Sequence, residues 1–600
     1  MVDRVRVPVL LAAFGGTVLL IDVLRVWLPS LTTIFGSAGT TPDWAFVLFA
    51  LAWVLPAGLL VPLAARRWLP TVTAAVAVLA RLVLQAGVTG DGQLYASCVA
   101  ALAVFGWLVS VAGRGWHQAS VAIGFAAGLA ATTALQLSTG TVDLLWIPGP
   151  IPWLVLLAVA AALLIGTVLA PATGGGAALW FGLGPATLLA AQVTTSIGRT
   201  WATPDWPPPW WGAALVGVGS AAGVVAAVIN AAPRALVVVT LLASTALAEA
   251  VSPLWIALLA VALPAAVRLA AGARERSTNV RAVSAYLGTT TLFLLCAVYN
   301  TAFDSFSFVW LPAITLLAAA ALALCTRGID PQWTLLKPGL VAGTAVALSC
   351  TTIAGATAPE PPGAQAIHLP LRLVTYNIRS GISAYGRFDV DRIAEVIEAE
   401  RPDVVQLQEV DRGMLVTGAQ DSLRALQTRL HMHAYFGPSS DQLFGEAILS
   451  RQPLEQVSFR RLSGDVSPPT GVLSGVLRLP GGTELTLVVT HLQTADGVIS
   501  ADQVRQLAAE LAEQKARSFV LTGDFNAEPG DPALAPVEAL LRDGLAAARP
   551  LPTWPAEEPK QQLDQVFLSP GLSASAVHVA ATTASDHLPV AVTISGPAGE

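Results

Sequence analysis

Two short runs near the C-terminal end of the sequence combine residue types that suit metal-assisted hydrolysis of a phosphate ester. They are Thr522–Asn526 and Ser585–Pro589. This chemistry needs an activated water, a cation against the phosphate, and donors for the charge that develops on its oxygens. The runs supply carboxylate, amide and imidazole groups on Asp524, Asn526, Asp586 and His587. Either run alone is more often a turn or a polar loop, so the hypothesis needs partners from the rest of the chain.

The residues around these runs predict an α/β domain that starts at Leu371. Short apolar stretches bounded by turn residues indicate strands, and two stretches have helical spacing. The predicted strands are 371–378, 403–409, 445–451, 484–491, 518–524, 563–567 and 589–594, and the predicted helices are 391–400 and 500–514. Many short strands with few helices favour two packed sheets in a domain of about 230 residues.

Further polar side chains stand at the ends of the predicted strands. They are Asn377, Glu409, His491 and Asp564. Strand ends meet at one rim of a sandwich, where loops carry chemistry. We therefore expect these residues to join the two runs in one site.

The motifs formed by these residues, in this order, resemble those of the endonuclease/exonuclease/phosphatase superfamily over about residues 370–597. The matching segments are Thr375–Ile378, Gln408–Val410, Thr490–Leu492, Gly523–Asn526, Asp564 with Val566–Phe567, and Ser585–His587. The resemblance implies a four-layer α/β sandwich, in which two packed sheets are flanked by helices. The superfamily includes nucleases, inositol-phosphate phosphatases and neutral sphingomyelinases.

The resemblance also implies a divalent metal site. Glu409 would be the main ligand, and Asn377 and Asp586 would complete the shell directly or through water. Oxygen ligands of this kind suit Mg²⁺, with Mn²⁺ as an alternative.

The same resemblance gives roles to the remaining motif residues. Asp524 would orient the attacking water. Asn526 and His491 would hold phosphate oxygens. Asp564 would orient the His587 ring and raise its pKa.

Two positions depart from the pattern of the superfamily. Glu446 stands where Asn is common, and Gln565 follows Asp564 where an aromatic residue is common. Both positions lie near the substrate cleft in the superfamily, so they bear on specificity rather than on the metal site.

The first 356 residues predict an all-α polytopic membrane bundle. Hydrophobic residues make up 54% of the chain and charged residues 12%, against about a quarter charged in soluble proteins. About thirteen apolar stretches are long enough to cross a bilayer as helices. Their centres lie near residues 18, 54, 78, 103, 128, 160, 186, 221, 242, 262, 293, 315 and 346. A Pro/Gly-rich linker at 357–370 leads to the catalytic domain at 371–597.

The loops between the predicted spans alternate in charge. One set contains 12 basic residues and the other contains only Arg199. The positive-inside rule makes the first set cytoplasmic. Thirteen spans from a cytoplasmic N-terminus would place the catalytic domain on the extracytoplasmic face.

Two groups of polar residues fall inside predicted spans. Asp22 and Arg25 are three residues apart, so we expect them to pair on one helical face. Arg81 and Gln85 form a similar group. Either group could line a path for a lipid headgroup or an ion, or fix the packing of the bundle.

Together these features predict a membrane-bound, Mg²⁺-dependent phosphoric ester hydrolase, either a phosphodiesterase or a phosphatase. Its partners would be the lipid bilayer and a phospholipid or lipid-linked phosphate. The architecture also resembles the Calcofluor-white-hypersensitive membrane proteins, which are implicated in remodelling the lipid of GPI anchors. One alternative is a membrane-anchored extracellular nuclease. Another is a lipid-handling or transport protein with an accessory hydrolase domain. The net charge of −11 on residues 351–600 favours lipid over nucleic acid, whose binding needs basic surface.

Overall fold

The computed structural model describes residues 6–31, 43–195, 210–229, 233–246, 252–272, 275–301, 363, 365–440, 442–464, 469–495, 497–513 and 518–596. The chain divides into two compact units. Unit 1 comprises Met1–Trp201, Pro209–Ala358 and Gly413–Gln420. Unit 2 comprises Ala202–Pro208, Pro359–Arg412 and Asp421–Glu600.

Unit 1 is built from apolar helices. They are α1 Val7–Leu31, α2 Asp43–Val54 with a 3₁₀ continuation Leu55–Leu63, α3 Leu69–Gln85, α4 Asp91–Arg114, α5 Gln118–Ser138, α6 Pro150–Leu169, α7 Ala178–Thr195, α8 Trp210–Ile229, α9 Arg234–Ala246, α10 Ser252–Ala270 and α11 Thr278–Thr301. A helix satisfies its backbone hydrogen bonds internally, which lipid requires. Large apolar side chains such as Leu59, Ile151 and Leu154 are exposed on the outside of the bundle. Several long apolar helices thus indicate a membrane protein.

The expected count of about thirteen spans is not confirmed. Within the described residues, six helices are long and apolar enough to cross a membrane. Five further apolar helices have described stretches of only 10–17 residues. Helix α9 has 13 residues in all, too few for a bilayer core about 30 Å thick. The spans expected near residues 315 and 346 lie outside the described residues. The sequence shows how long each apolar stretch is, but not the residues at which each helix begins and ends.

The expected pair between Asp22 and Arg25 is wrong. Asp22 forms its ion pair with Arg81 of α3, while Arg25 Nη1 lies 3.2 Å from Asp143 Oδ2. Arg81 Nη2 is also 3.6 Å from Asp143, so two acids and two bases form one buried network. Arg25 Nε additionally donates to the carbonyl oxygen of Gly418, in the third segment of unit 1. The charges therefore join separate segments instead of sharing one helix face.

Unit 2 contains two six-stranded sheets. The strands are β1 Leu371–Asn377, β2 Val404–Asp411, β3 His433–Ser440, β4 Phe444–Ser450, β5 Glu455–Leu462, β6 Thr470–Arg478, β7 Glu484–His491, β8 Thr494–Ala495, β9 Val498–Ile499, β10 Ser518–Asp524, β11 Arg542–Asp543, β12 Asp564–Leu568, β13 Ser573–Val579 and β14 Val590–Ser595. The first sheet has the order β13-β14-β1-β2-β4-β3 and the second β11-β12-β10-β7-β6-β5. Strands β8 and β9 form a separate two-stranded ribbon.

Apolar side chains from both sheets form the core of unit 2. Leu373 of β1 and Val592 of β14 cluster with Leu487 of β7 and Val520 of β10. The helices of unit 2 are α12 Val390–Ala399, α13 Ser422–Leu430, α14 Ala501–Glu513 and α15 Ala535–Glu538. Helix α14 packs its apolar face on the second sheet. The expected two-sheet α/β domain is therefore confirmed.

The buried network of unit 1 generates a stability prediction. Replacing Asp143 by Asn removes the carboxylate that both Arg25 and Arg81 face. Because an unpaired buried charge costs about 3–5 kcal/mol, we expect a much lower melting temperature for the detergent-solubilised protein. Asp91→Asn, at the exposed start of α4, is the matched control. An equal melting temperature for both variants would show that the network adds no stability.

Candidate active site

Parallel strands at the centre of each sheet bring polar residues to one edge of unit 2. In the first sheet β1 runs parallel to β2, and Asn377 at the end of β1 is in register with Gln408, beside Glu409. In the second sheet β7 runs parallel to β10, and His491 is in register with Asp524. Parallel strands end at the same edge, so each sheet delivers two residues there.

The remaining site residues reach this edge through antiparallel partners. Strand β12 begins opposite the end of β10, which pairs Asp564 with Asp524. The segment before β14 passes the end of β1, where Ser585 Oγ donates to the carbonyl oxygen of Asn377 at 2.8 Å. This contact places Asp586 and His587 beside the strand ends.

His587 lies between two carboxylates. Its Nδ1 is 2.9 Å from Asp564 Oδ2, and its Nε2 is 3.5 Å from Asp524 Oδ2. The residue is only 5% exposed. Burial by itself would lower the pKa of His587, but the carboxylates of Asp564 and Asp524 raise it to about 10. The ring is therefore an imidazolium at neutral pH, which makes it a donor rather than a base.

Asp524 is the fixed carboxylate of the site. Burial would raise its pKa, but the imidazole rings of His587 and His491 outweigh that effect and lower it. Its Oδ2 accepts a hydrogen bond from Asn377 Nδ2 at 2.9 Å, and its Oδ1 accepts one from the backbone N–H of Asn526 at 2.9 Å. The group is thus ionised and held in one orientation.

His491 and Asn526 form the other side of the site. Asn526 Nδ2 donates to the carbonyl oxygen of Leu492 at 2.8 Å and lies 3.2 Å from His491 Nε2. Asn526 has a φ of +49°, a conformation that Asn tolerates better than most residues. This backbone turn directs the side-chain amide of Asn526 toward His491.

Glu409, Asn377 and Asp586 supply the oxygen atoms expected of a metal shell. Asn377 Nδ2 donates to Glu409 Oε1 at 3.0 Å. Glu409 has a φ of +53°, in an irregularity where β2 pairs with β4. A glutamate rarely adopts this conformation, so the bulge sets the direction of its side chain.

These three residues fit a hard divalent cation in their chemistry. Two are carboxylates that remain partly exposed, and the third is a buried amide. Mg²⁺ is commonly held by one or two carboxylates, with waters and substrate oxygens completing its shell. Across the described part of the chain, no three His, Cys, Asp or Glu side chains are grouped to hold a metal ion. Any metal would thus depend on the amide, water and substrate for its remaining ligands.

Comparison of the sequence with known families agrees with this geometry. The profile of the Endonuclease/Exonuclease/phosphatase family matches residues 374–587. These residues form an endonuclease/exonuclease/phosphatase domain. The match covers the six motifs described above and leaves residues 1–373 outside it. No curated protein matches the chain.

Solved structures of the family resemble the same part of the chain. An endonuclease/exonuclease/phosphatase protein from Beutenbergia cavernae is 25% identical, with 38% of this chain and 72% of that chain covered and a TM-score of 0.32. A mannosyl-6-phosphatase from Bacteroides thetaiotaomicron is 17% identical, with 37% and 99% covered and a TM-score of 0.33. The human Nocturnin catalytic domain is 21% identical, with 39% and 97% covered and a TM-score of 0.31.

The structure of the endonuclease/exonuclease/phosphatase domain adds a residue that the motifs did not indicate. Arg379 Nε lies 3.7 Å from Asp586 Oδ2, and its backbone amide donates to Asn377 Oδ1 at 3.1 Å. A guanidinium here could pair with a phosphate oxygen. The sequence signal was its position two residues after Asn377.

Glu446 is a buried residue of β4. Its Oε1 lies 3.1 Å from Thr470 Oγ1, which also hydrogen-bonds to the carbonyl oxygen of His491. A hydroxyl has one proton, so Thr470 cannot donate to both oxygens. If Glu446 is neutral, both hydrogen bonds can form. The carboxyl proton of Glu446 then points to Thr470 Oγ1, and the Thr470 hydroxyl donates to the carbonyl oxygen of His491. Burial accordingly raises the pKa of Glu446 to about 8.

Gln565 has a structural role in the domain. Its Nε2 donates to the carbonyl oxygens of Ala527 and Gln562, and its Oε1 accepts from Arg549. These contacts fix the segment that follows Asn526.

Glu446 generates a prediction on the pH dependence of stability. Its pKa is higher in the folded protein than in the unfolded chain, so the folded state retains a proton that the unfolded chain releases. Stability should therefore fall as the pH rises from about 5 toward 8, by about 1.4 kcal/mol for each unit of pKa difference. Glu446→Gln should remove the slope below about pH 6.5 and reduce it above that pH, where His587, whose pKa is also raised in the folded protein, still contributes. Hydrogen exchange of the β4 and β6 amides in the full-length protein, between pH 5.5 and 8.5, measures it.

The control for this experiment is Glu395→Gln on an exposed turn of α12. It should keep the pH slope of the wild type. If Glu446→Gln also keeps that slope, Glu446 is ionised in the folded protein and the proposed proton arrangement is incorrect.

Proposed function

We propose that the protein is a divalent-metal-dependent phosphohydrolase, either a phosphodiesterase or a phosphatase, that acts on a phospholipid or lipid-linked phosphate at the extracytoplasmic face of the membrane. The observation that carries this proposal is the position of His587 between Asp564 and Asp524, close to the three side chains that we propose as metal ligands. Long apolar helices on the same chain support a substrate in the membrane.

Glu409, Asn377 and Asp586 would hold the metal. A bound Mg²⁺ or Mn²⁺ neutralises charge on the phosphate and favours ionisation of a nearby water. Everything else in the reaction can be provided by side chains of the domain.

Asp524 and His587 divide the work of the reaction. The ionised carboxylate of Asp524 would accept a hydrogen bond from the attacking water and aim its lone pair at phosphorus. The Nε2–H of His587, which lies 3.5 Å from Asp524 Oδ2, would donate to a phosphate oxygen. That bond strengthens as negative charge develops there, which is how such donors accelerate hydrolysis.

His491, Asn526 and Arg379 would hold the remaining phosphate oxygens. All three place nitrogen atoms at the same edge of the sheets. A phosphate monoester has one more ionised oxygen than a diester, so the need for this many donors is greater for a monoester.

Two sequence features support an extracytoplasmic lipid substrate. The basic residues of the predicted loops lie almost entirely in one set, which favours the opposite side for the catalytic domain. The acidic charge of residues 351–600 opposes broad contact with nucleic acid.

The function generates a prediction on His587. His587→Ala should reduce kcat on a phospholipid in mixed micelles by about 10²–10⁴-fold, the usual range for a residue that transfers or shares a proton in the transition state. EDTA should abolish the activity, and Mg²⁺ should restore it. His578→Ala is the matched control, because this histidine is 59% exposed on β13 and pairs with Glu400.

The same assay separates the alternatives. Activity that survives both EDTA and His587→Ala would overturn the proposal. A strong preference for DNA over phospholipid would favour the membrane-anchored nuclease. The His578→Ala control excludes a general effect of losing an imidazole.

A second prediction concerns Asp564. Its carboxylate is the main group that raises the pKa of His587, so Asp564→Asn should lower that pKa toward neutrality while keeping a hydrogen-bond acceptor. The variant should lose kcat/KM as the pH rises from 6 to 9, whereas the wild type should keep its imidazolium across this range. The control is Asp543→Asn, because Asp543 lies on β11 and forms an ion pair with Arg549. This variant should have the same pH profile as the wild type. Parallel pH profiles for wild type and Asp564→Asn would contradict the assigned charge.

A further inference from the structure

A cleft in unit 1 has apolar walls and a polar floor. Its cavity volume is about 40 Å³, and it opens to the outside of unit 1. Its walls come from α1, α5 and α6 and include Val18, Leu135, Val155 and Val159. A cavity of this size has room for a small polar group such as a hydroxyl or an ammonium, while any longer apolar part of a ligand would lie along the helices outside it.

The floor of the cleft includes part of the buried ionic network. Asp22, Arg25, Arg81 and Asp143 all line it. The two arginines are almost completely buried, whereas the side chain of Asp22 is 20% exposed. Asp22 is therefore the member of the network that is most open to the cleft, while Arg25 is paired with Asp143 and Arg81 with Asp22. With two acids and two bases, the formal charge of the network is zero.

Gln136 of α5 is the second polar group in the cleft. It is only 7% exposed, and its Oε1 has no hydrogen-bond partner among the residues that the structure describes. Leaving a buried acceptor unpaired is unfavourable. A ligand that donates a hydrogen bond to this oxygen would remove that cost.

These groups define the chemistry of a ligand. Gln136 Oε1 and the Asp22 carboxylate both accept hydrogen bonds, so the ligand must donate them. The walls are valine and leucine, so the ligand must also have an apolar part. Hydrocarbon and a donor group occur together in membrane lipids with hydroxyl or ammonium headgroups.

We propose that this cleft binds a membrane lipid whose headgroup donates hydrogen bonds to Gln136 and Asp22, with an acyl chain along α1, α5 and α6. The site lies wholly in unit 1, and it does not depend on the hydrolase activity proposed above.

Lipid headgroups that differ in their donors test the proposal. Purified full-length protein is titrated with phosphatidylethanolamine, phosphatidylglycerol and phosphatidylcholine of identical acyl chains, and bound lipid is measured by native mass spectrometry. Phosphatidylethanolamine has an ammonium donor, phosphatidylglycerol has hydroxyl donors, and phosphatidylcholine has neither. At least one of the first two should bind about fivefold or more tightly than phosphatidylcholine, as expected for one additional hydrogen bond. Equal binding of all three lipids would overturn the proposal.

Variants locate the binding in the cleft. Gln136→Leu should abolish the preference, so that the donor lipids and phosphatidylcholine bind equally. The substitution removes the acceptor and leaves a side chain of similar size. Val155→Trp should displace the lipid by filling the cleft. Leu154→Trp is the matched control, because the neighbouring Leu154 is 65% exposed and does not line the cleft. If the two tryptophan variants bind lipid equally, the lipid lies elsewhere and the proposal fails. The comparison of lipids on the wild type remains valid even if a variant does not fold.

Discussion

A buried imidazolium between two carboxylates is the interaction on which the arrangement of unit 2 depends. His587, Asp564 and Asp524 are each almost fully buried, and a buried charge is tolerated only when its partners are in place. The three residues come from the segment before β14, the start of β12 and the end of β10. Their charges can therefore balance only if all three segments are in register, so the chemistry of the site and the pairing of the strands are coupled.

The same coupling extends across the two sheets through an amide. Asn377 Nδ2 contacts both Glu409 of the first sheet and Asp524 of the second, so one side chain joins the proposed metal ligand to the residue proposed to orient water. Glu409 reaches this position only through the positive φ of a bulge. The strain at Glu409 is offset by the regular pairing of β1 with β2 before it, which is typical of strained residues at functional sites.

The sequence predicted the strands that carry the site better than those that surround it. The bounds of β7 and β10 agree with the predicted ranges 484–491 and 518–524, because continuous apolar runs end there at a polar residue. The edge strands β5 and β13 were missed, since exposed polar or small side chains interrupt any apolar pattern. The spacing of three residues also predicted an ion pair between Asp22 and Arg25, and this prediction is wrong. The actual partner of Asp22 comes from α3, and only the packing of helices determines that choice.

Buried charges have different roles in unit 1 and unit 2. In unit 2 the imidazolium has a donor directed toward the edge of the sheets, so its charge is available to an anionic group. In unit 1 the two arginines face Asp22, Asp143 and backbone carbonyls such as that of Gly418, which leaves no net charge to attract an ion. What unit 1 offers its cleft is acceptor oxygen atoms without net charge. Selection there must therefore depend on whether a headgroup can donate a hydrogen bond, rather than on the sign of its charge.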